Sequence, residues 1–461
     1  KTFNYKGEVV EVATLADMKG IPVQIPEVAI PDFKGQFGAG YKGTTLPKLC
    51  IITNVQKAHF GDKHKYITYA GYKHNFKAGG VYVPADFKIK KLSGLQGKKM
   101  QEEYQKYELK NIGNNLYYGT TIGSDPEVFV EDENGTIIPA FTFLGSKTKP
   151  NRSRDTQYGN LPVYWDGFAA EFETSPQTCL AWQVDSIQLG LEAVLKAARK
   201  VNKKAKLSIK NVMDIPFDIL QKADEQYVAF GCMPSSNVYG LKCKNIPPRE
   251  MPFRSSGGHI HFGIGKRKPE EINEIVKALD AILAVNCVSL FASFDNPARR
   301  EYYGEAGSYR QPAHGLEYRT LSGGIVIHPL ITNLVFDLAR KVAMFGSNGY
   351  LKNWVGNADE TVAVIQNCDV ARAREIMARN KDTLLSLFKA CYNYLGGGKD
   401  AELVYGVFSN GLESVIKDPV DMEKNWSLTD GNWQTHSDRG GSNPSNWLHA
   451  YKLIEAGKQI G

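Results

Sequence analysis

GGHIHFGIG, residues 257–265, sets two imidazoles one residue apart between glycines. In an extended strand residues i and i+2 share a face. His259 and His261 therefore point one way, and Ile260 points to the opposite face. Three other stretches repeat the arrangement. Asp125 and Glu127 do so in GSDPEVFV (123–130), Glu171 and Glu173 in AAEFETS (169–175), and Glu317 and Arg319 in GLEYRTL (315–321). Asp166, in YWDGF (164–168), stands at the turn leading into the second of these pairs. One such pair is ordinarily a solvent-facing stripe. Four pairs of one spacing predict a shared, highly charged site on one sheet face.

Clustered carboxylates cannot all stay ionised without countercharge. Hard divalent cations supply it through oxygen ligands and tolerate an imidazole nitrogen, which favours magnesium or manganese. Zinc is less apt, because His-x-His with no nearby cysteine would leave most of the carboxylates unused. Basic side chains flank the pairs: Lys147, Lys149, Arg152 and Arg154 in KTKPNRSRD, and Arg299, Arg300 and Arg310 in the run before Glu317. Rigid guanidinium forks suit phosphates and substrate carboxylates. Arg310 and Arg319, crowded by glycines and aromatics, are the strongest candidates. Carboxylates with metals, faced by arginines, suit phosphoryl transfer from a nucleotide.

The whole chain sets bounds on this reading. It has 461 residues, 42% hydrophobic and 23% charged, and a formal charge of +7. That composition is of a folded protein with room for more than one domain. The charge permits a polyanionic partner without demonstrating one, and nucleic-acid binding through the early lysines ranks lowest. Seven cysteines with no C-x-x-C pair predict reduced, mostly buried thiols. Cys232, in FGCMPSSN, has no histidine partner in sequence and reads as a packed thiol. The opening KTFNYKGEVVEVATL is alternating and charged, and no stretch is apolar for about eighteen residues. The expected setting is a cytoplasm, with no membrane partner.

Residues 1–118 are rich in glycine, tyrosine and lysine, with alternating runs such as YITYAGY and GGVYVPADFKI. They read as a β-rich accessory module outside the site, followed by a polar helix in GLQGKKMQEEYQKYELKN. GQFGAGYKGTT lacks the ending of a phosphate loop, and HFGDKHKY reads as a basic surface loop. Residues 119–350 alternate hairpins with long amphipathic helices, which predicts an α+β domain with helices on one face of a sheet. Residues 351–461 predict a mainly helical extension packed on that domain, including one strong helix in NCDVARAREIMARNKDTLLSLFKACYN.

GSDPE, WDG followed by EFE, FGCMPSSN, GGHIHFG and YR…HGLEYR, in that order, resemble the phage-type COOH–NH2 ligases, or amidoligases, of the glutamine synthetase and glutamate–cysteine ligase superfamily. The resemblance spans roughly residues 119–345. It implies a curved antiparallel sheet holding ATP and two or three Mg²⁺ ions, with Mn²⁺ as a substitute. It further implies that a carboxylate is activated as an acyl phosphate and attacked by an amine.

By the same resemblance Asp125, Glu127, Glu171, Glu173, His259 and Glu317 are metal ligands. His261 points towards phosphate, and Arg319 contacts the transferring phosphoryl group. Arg310 stabilises ADP or the acyl phosphate. Asp125 departs from the synthetases' first glutamate. Gly257, Gly258 and Gly263 would admit a nucleotide close to the backbone. A carboxylate of Glu171, Glu173 or Asp166 would take the amine's proton. Arg319→Ala is expected to remove charge stabilisation while sparing the fold. The carboxylate and amine substrates are small amino acids, peptides or protein termini. A homo-oligomer or a phage partner stays open, as do host cytoplasm and virion as locations. Two other classes compete: a phage structural or accessory protein retaining the ligase fold, and a nucleotide-dependent phosphotransferase.

Overall fold

The computed structural model describes residues 120–153, 161–177, 180–229, 235–347, 356–391, 400–428 and 459, and upstream of them the backbone of seven strands. These strands, β1 (Thr2–Tyr5), β2 (Glu8–Thr14), β3 (Pro22–Gln24), β4 (Leu49–Phe60), β5 (His64–Tyr72), β6 (Val81–Pro84) and β7 (Lys88–Leu92), pair in the order β1-β2-β7-β3-β4-β5-β6. YITYAGY falls in β5 and the ends of HFGDKHKY in β4 and β5. GQFGAGYKGTT, the expected helix near residue 100, Cys232 and the C-terminal tail lie outside the described residues. The chain divides into two compact units, Lys1–Thr120 with Asp155–Asn160 and His436–Asn443, and Thr121–Arg154 with Leu161–Thr435 and Pro444–Gly461.

Every candidate site residue belongs to the second unit, a mixture of helices and antiparallel strands. β8 (Thr121–Ser124), β17 (Ile260–Gly263), β18 (Ser308–Arg310), β19 (Leu316–Tyr318) and β15 (Ser236–Asn237) form a five-stranded sheet in the order β15-β18-β19-β17-β8. β9 (Glu127–Glu131), β10 (Asn151–Arg152), β11 (Pro162–Asp166), β12 (Ala169–Phe172) and β13 (Lys206–Ser208) form another, β10-β11-β12-β9-β13. β14 (Val212–Asp214) pairs with β16 (Phe253–Ser255). The single shared sheet expected from the four pairs is thus two sheets. Pro126, between β8 and β9, is the reason for the break: proline has no N–H to continue a ladder.

The hairpin β11–β12 turns through Gly167-Phe168, with Gly167 at φ +58°. That conformation suits the first position of a type II′ turn, where glycine is the low-cost residue. Asn134-Gly135 also turns as expected, with Gly135 at φ +78°. The strand predicted after it shrinks to one bridge, Glu131 with Ile137.

Helix Leu180–Val201 buries Ile187, Leu191, Val194 and Ala198, one apolar stripe at helical spacing, and ends on Arg199 and Lys200. Midway along it Gly190 lies against β12, where a Cβ would stand 2.2 Å from the Phe172 ring. Alanine is about 1 kcal/mol better than glycine in an open helix. Here overpacking decides the sign. Gly190→Ala is expected to lower stability by about 1–3 kcal/mol in urea unfolding, and a stabilised variant would show that this contact is loose.

Helix Pro269–Ala278 passes through a π-helical turn, Leu279–Ala284, into helix Val285–Leu290. Beneath β19, the Tyr318 hydroxyl donates to buried Asp280 at 2.5 Å. Helix Pro329–Ser347 packs on β17 and β8. The single helix expected near residue 380 is two, Val370–Arg379 and Lys381–Cys391, with Asn380 between them at φ −103°. Trp426, fully buried, donates from Nε1 to the Val326 carbonyl at 2.8 Å. Its own carbonyl accepts from Gln188 at 2.9 Å, which ties this segment to helix Leu180–Val201.

Candidate active site

The step from β8 to β9 carries the first polar pair across the junction of the two sheets. Ser124 Oγ donates to the His259 carbonyl at 2.6 Å, and Ser124 N–H donates to Thr174 Oγ1 at 2.8 Å. Beyond the proline, Glu127 N–H donates to the Gly257 carbonyl at 3.0 Å while Gly257 N–H donates to Glu127 Oε2 at 2.6 Å. Asp125 is thereby held between the two sheets, with β17 on one side and β12 on the other.

Two acidic groups result. On the β17–β19 side His261 stands opposite Glu317, and Asp125, His261 and Glu317 can each offer a ligand atom within 4.8 Å of the others. His261 Nε2 is 3.0 Å from Asp125 Oδ1. His259 comes to the same carboxylate, with Nδ1 3.2 Å from Asp125 Oδ1 and 3.8 Å from Glu317 Oε1. On the β9–β12 side Glu127 stands opposite Glu171, and Glu127, Asp166 and Glu171 form the second group within 4.8 Å. Members of all four pairs stand in or beside these groups, but no i,i+2 pair stays whole within one group. The sorting is new: Asp166 joins the second group, whereas Glu173 and His259 stand beside the two groups rather than in them.

Electrostatics separates the groups further. Burial would raise the Asp125 carboxyl, but the neighbouring His259 and His261 hold it below the usual carboxylate range. Glu127 is pushed up to about 8, first by burial and then by the Asp166 charge. Glu171 rises well above its ordinary value through burial and then the charges of Asp125 and Asp166. Glu173 is lowered despite burial, because Lys147 and Tyr164 bond to it. Lys147 Nζ is 2.8 Å from Glu173 Oε1, and the Tyr164 hydroxyl lies 2.8 Å from Glu171 and 2.7 Å from Glu173.

Buried carboxylates driven towards protonation by their own crowding are what a divalent cation relieves. An all-oxygen group and a mixed oxygen–imidazole group fit magnesium or manganese. Neither group contains a cysteine.

The arginines divide by burial. Arg319 is fully buried, its Nη1 on Glu317 and its Nη2 donating to the Tyr303 hydroxyl at 3.1 Å. Arg310 is about one third exposed and 3.7 Å from Glu317 Oε1. Arg299 and Arg300, read in sequence as candidate phosphate-binding arms, are buried and structural instead. Arg299 donates to the carbonyls of Ser256, Thr320 and Leu321 at 2.9, 3.0 and 2.7 Å. Arg300 pairs with Asp295 at 2.8 Å. Arg152 is exposed on β10, and Arg154 lies outside the described residues.

The glycines also have reasons within the protein. A Cβ on Gly257 would stand 2.5 Å from His259 Nε2, one on Gly258 2.2 Å from the Ser322 carbonyl, and one on Gly263 2.0 Å from Thr121 Oγ1. Two site groups were not legible in sequence, Tyr164 and Tyr303. The string REYYGEAGSYR holds three tyrosines, and no spacing rule selects Tyr303 among them.

Residues 249–428 match the family described as Phage phiEco32-like COOH.NH2 ligase-type 2. Over those residues the chain is similar to the phage COOH–NH2 ligases. The match covers GGHIHFG and HGLEYR and continues through the helices to Leu428, further downstream than the motifs alone reach. The first two acidic pairs lie upstream of it and enter the site through the strand pairing of β8 and β9. A solved bifunctional glutathione synthetase from Pasteurella multocida is 12% identical, over 73% of this chain and 53% of that one, with a TM-score of 0.34. The chain thus spans about half the length of that synthetase, and so loose a superposition carries no argument. No curated protein matches.

Proposed function

We propose that this chain is an ATP-dependent carboxylate–amine ligase that activates one substrate as an acyl phosphate and transfers the acyl group to an amine. The observation that carries the reading is the pair of acidic groups joined through Asp125-Pro126-Glu127, with Arg310 and Lys147 flanking them. The family match over residues 249–428 supports it. Mg²⁺ or Mn²⁺, held by Asp125, His261 and Glu317 and by Glu127, Asp166 and Glu171, would supply countercharge to these carboxylates and to nucleotide phosphates.

Arg310, about one third exposed beside Glu317, is the guanidinium with solvent access to a transferring phosphoryl group. Arg319 works from behind, holding the Glu317 carboxylate in place. At the β11–β12 end, Glu171 and Glu173 face a substrate amine. One carboxylate of the Glu171, Glu173 and Asp166 set accepts the proton leaving the attacking nitrogen. The amine is a small amino acid, a peptide or a protein terminus, and so is the carboxylate.

The test supplies ATP, Mg²⁺ and a panel of carboxylates and amines. ADP and an amide are expected to appear together, and only when both substrates are present. A stable phosphorylated acceptor with no amide would make the protein a phosphotransferase. No ATP consumption across the panel, together with no nucleotide binding, would favour the structural-protein alternative.

A further inference from the structure

Tyr303 directly follows helix Ala298–Tyr302. Its hydroxyl meets His259 Nε2 and accepts from Arg319 Nη2 at 3.1 Å. Two guanidiniums lie over its ring: Arg299 Cζ is 5.1 Å and Arg319 Cζ 5.4 Å from the centroid. The same Arg299 bonds the carbonyls of Ser256, Thr320 and Leu321, so ring and neighbouring backbone are held by one side chain. Gly257 leaves the necessary space, since a Cβ there would also come within 3.1 Å of the Tyr303 ring.

The other imidazole nitrogen of His259, Nδ1, faces carboxylate oxygens, Asp125 Oδ1 at 3.2 Å and Glu317 Oε1 at 3.8 Å. Carboxylates accept and do not donate. Nδ1 therefore carries the hydrogen in the cation-free protein, and Nε2 offers a lone pair to the phenol. A hydroxyl can serve Nε2 in either tautomer, as donor or as acceptor. A phenyl ring serves neither.

We propose that Tyr303 is a positioning residue whose hydroxyl holds the His259 imidazole and the Arg319 guanidinium in one arrangement, and so keeps the carboxylates they touch, Asp125 and Glu317, directed at a shared cation. The inference rests on the cation-binding part of the function proposed above. Outer partners of ligating groups commonly alter metal affinity by about 10–100-fold.

The experiment compares the full chain with Tyr303→Phe and Tyr303→Gln, the amide of the latter being able to donate and accept. Mn²⁺ binding is followed by calorimetry, the fold by thermal melting without metal, and the His259 tautomer by imidazole ¹⁵N spectra assigned with His259→Gln. Tyr303→Phe is expected to fold, to bind Mn²⁺ about tenfold more weakly or worse, and to lose the single Nδ1–H tautomer. Tyr303→Gln is expected to regain part of both. Unchanged affinity and unchanged tautomer in Tyr303→Phe would overturn the proposal, and so would loss of the fold in both variants, which would make the role purely structural. If the unsubstituted protein takes up no Mn²⁺, the cation reading itself falls, and the imidazole spectra alone decide whether Tyr303 positions His259.

Discussion

Arg319→Ala is expected to cost about 3–5 kcal/mol in stability, the range for removing one partner of a buried ion pair. Glu317 is 5% exposed and would be left with Arg310, 3.7 Å away and itself partly in solvent, and with His259 Nδ1 at 3.8 Å. The Tyr303 hydroxyl would lose the bond from Arg319 in the same step. This revises the expectation that the substitution spares the fold, which treated the arginine as an arm reaching outward. Its guanidinium is instead enclosed, and desolvation makes the loss of one partner expensive. Replacing both charges, as in Glu317→Gln with Arg319→Met, is expected to recover most of the stability, because an uncharged pair of similar volume leaves no buried charge. Urea melts of the two variants check this. A cost below about 1 kcal/mol for Arg319→Ala would mean a solvated surface pair.

The second large effect is a stability that falls with rising pH and is restored by divalent cations. Glu127, ordinarily near 4.5, is pushed up to about 8 by burial and then by Asp166, and Glu171 is raised in the same sense. A carboxyl whose folded pKa lies above its unfolded one stays protonated in the native state over that interval. Its contribution is complete below the unfolded value and is lost as pH rises through the folded value. For Glu127 the loss runs from roughly pH 4.5 to pH 8 and amounts to at most about 5 kcal/mol.

His261, also raised, adds to this trend, whereas His259, lowered by burial, opposes it below its ordinary value of 6.5. Asp125, held low beside its histidines, acts only in strong acid, where its contribution is lost as pH falls. Metal-free protein is therefore expected to melt at a lower temperature at pH 8 than at pH 6. Mg²⁺ or Mn²⁺ should reverse the order and release protons on binding. A melting temperature flat across this interval, with and without cations, would remove the case for a cation at Glu127, Asp166 and Glu171.

The sequence by itself marked the charged residues of the site. The i,i+2 spacing of Asp125 with Glu127, Glu171 with Glu173, His259 with His261 and Glu317 with Arg319 singled them out, because alternate side chains in a strand share a face. The long helices were legible for the same kind of reason, as apolar stripes at a period near 3.6. Tertiary structure decided the rest. A proline between Asp125 and Glu127 splits the site over two sheets, and a turn 40 residues away brings Asp166 to Glu127. Whether an arginine reaches out or is sealed in depends on what packs over it, so Arg299 and Arg300 became backbone clamps and Arg319 a buried partner. Tyr303 entered through a contact with His259 across 44 residues of chain. Spacing encodes direction along one strand, but burial and long-range contact depend on the other elements that close over it.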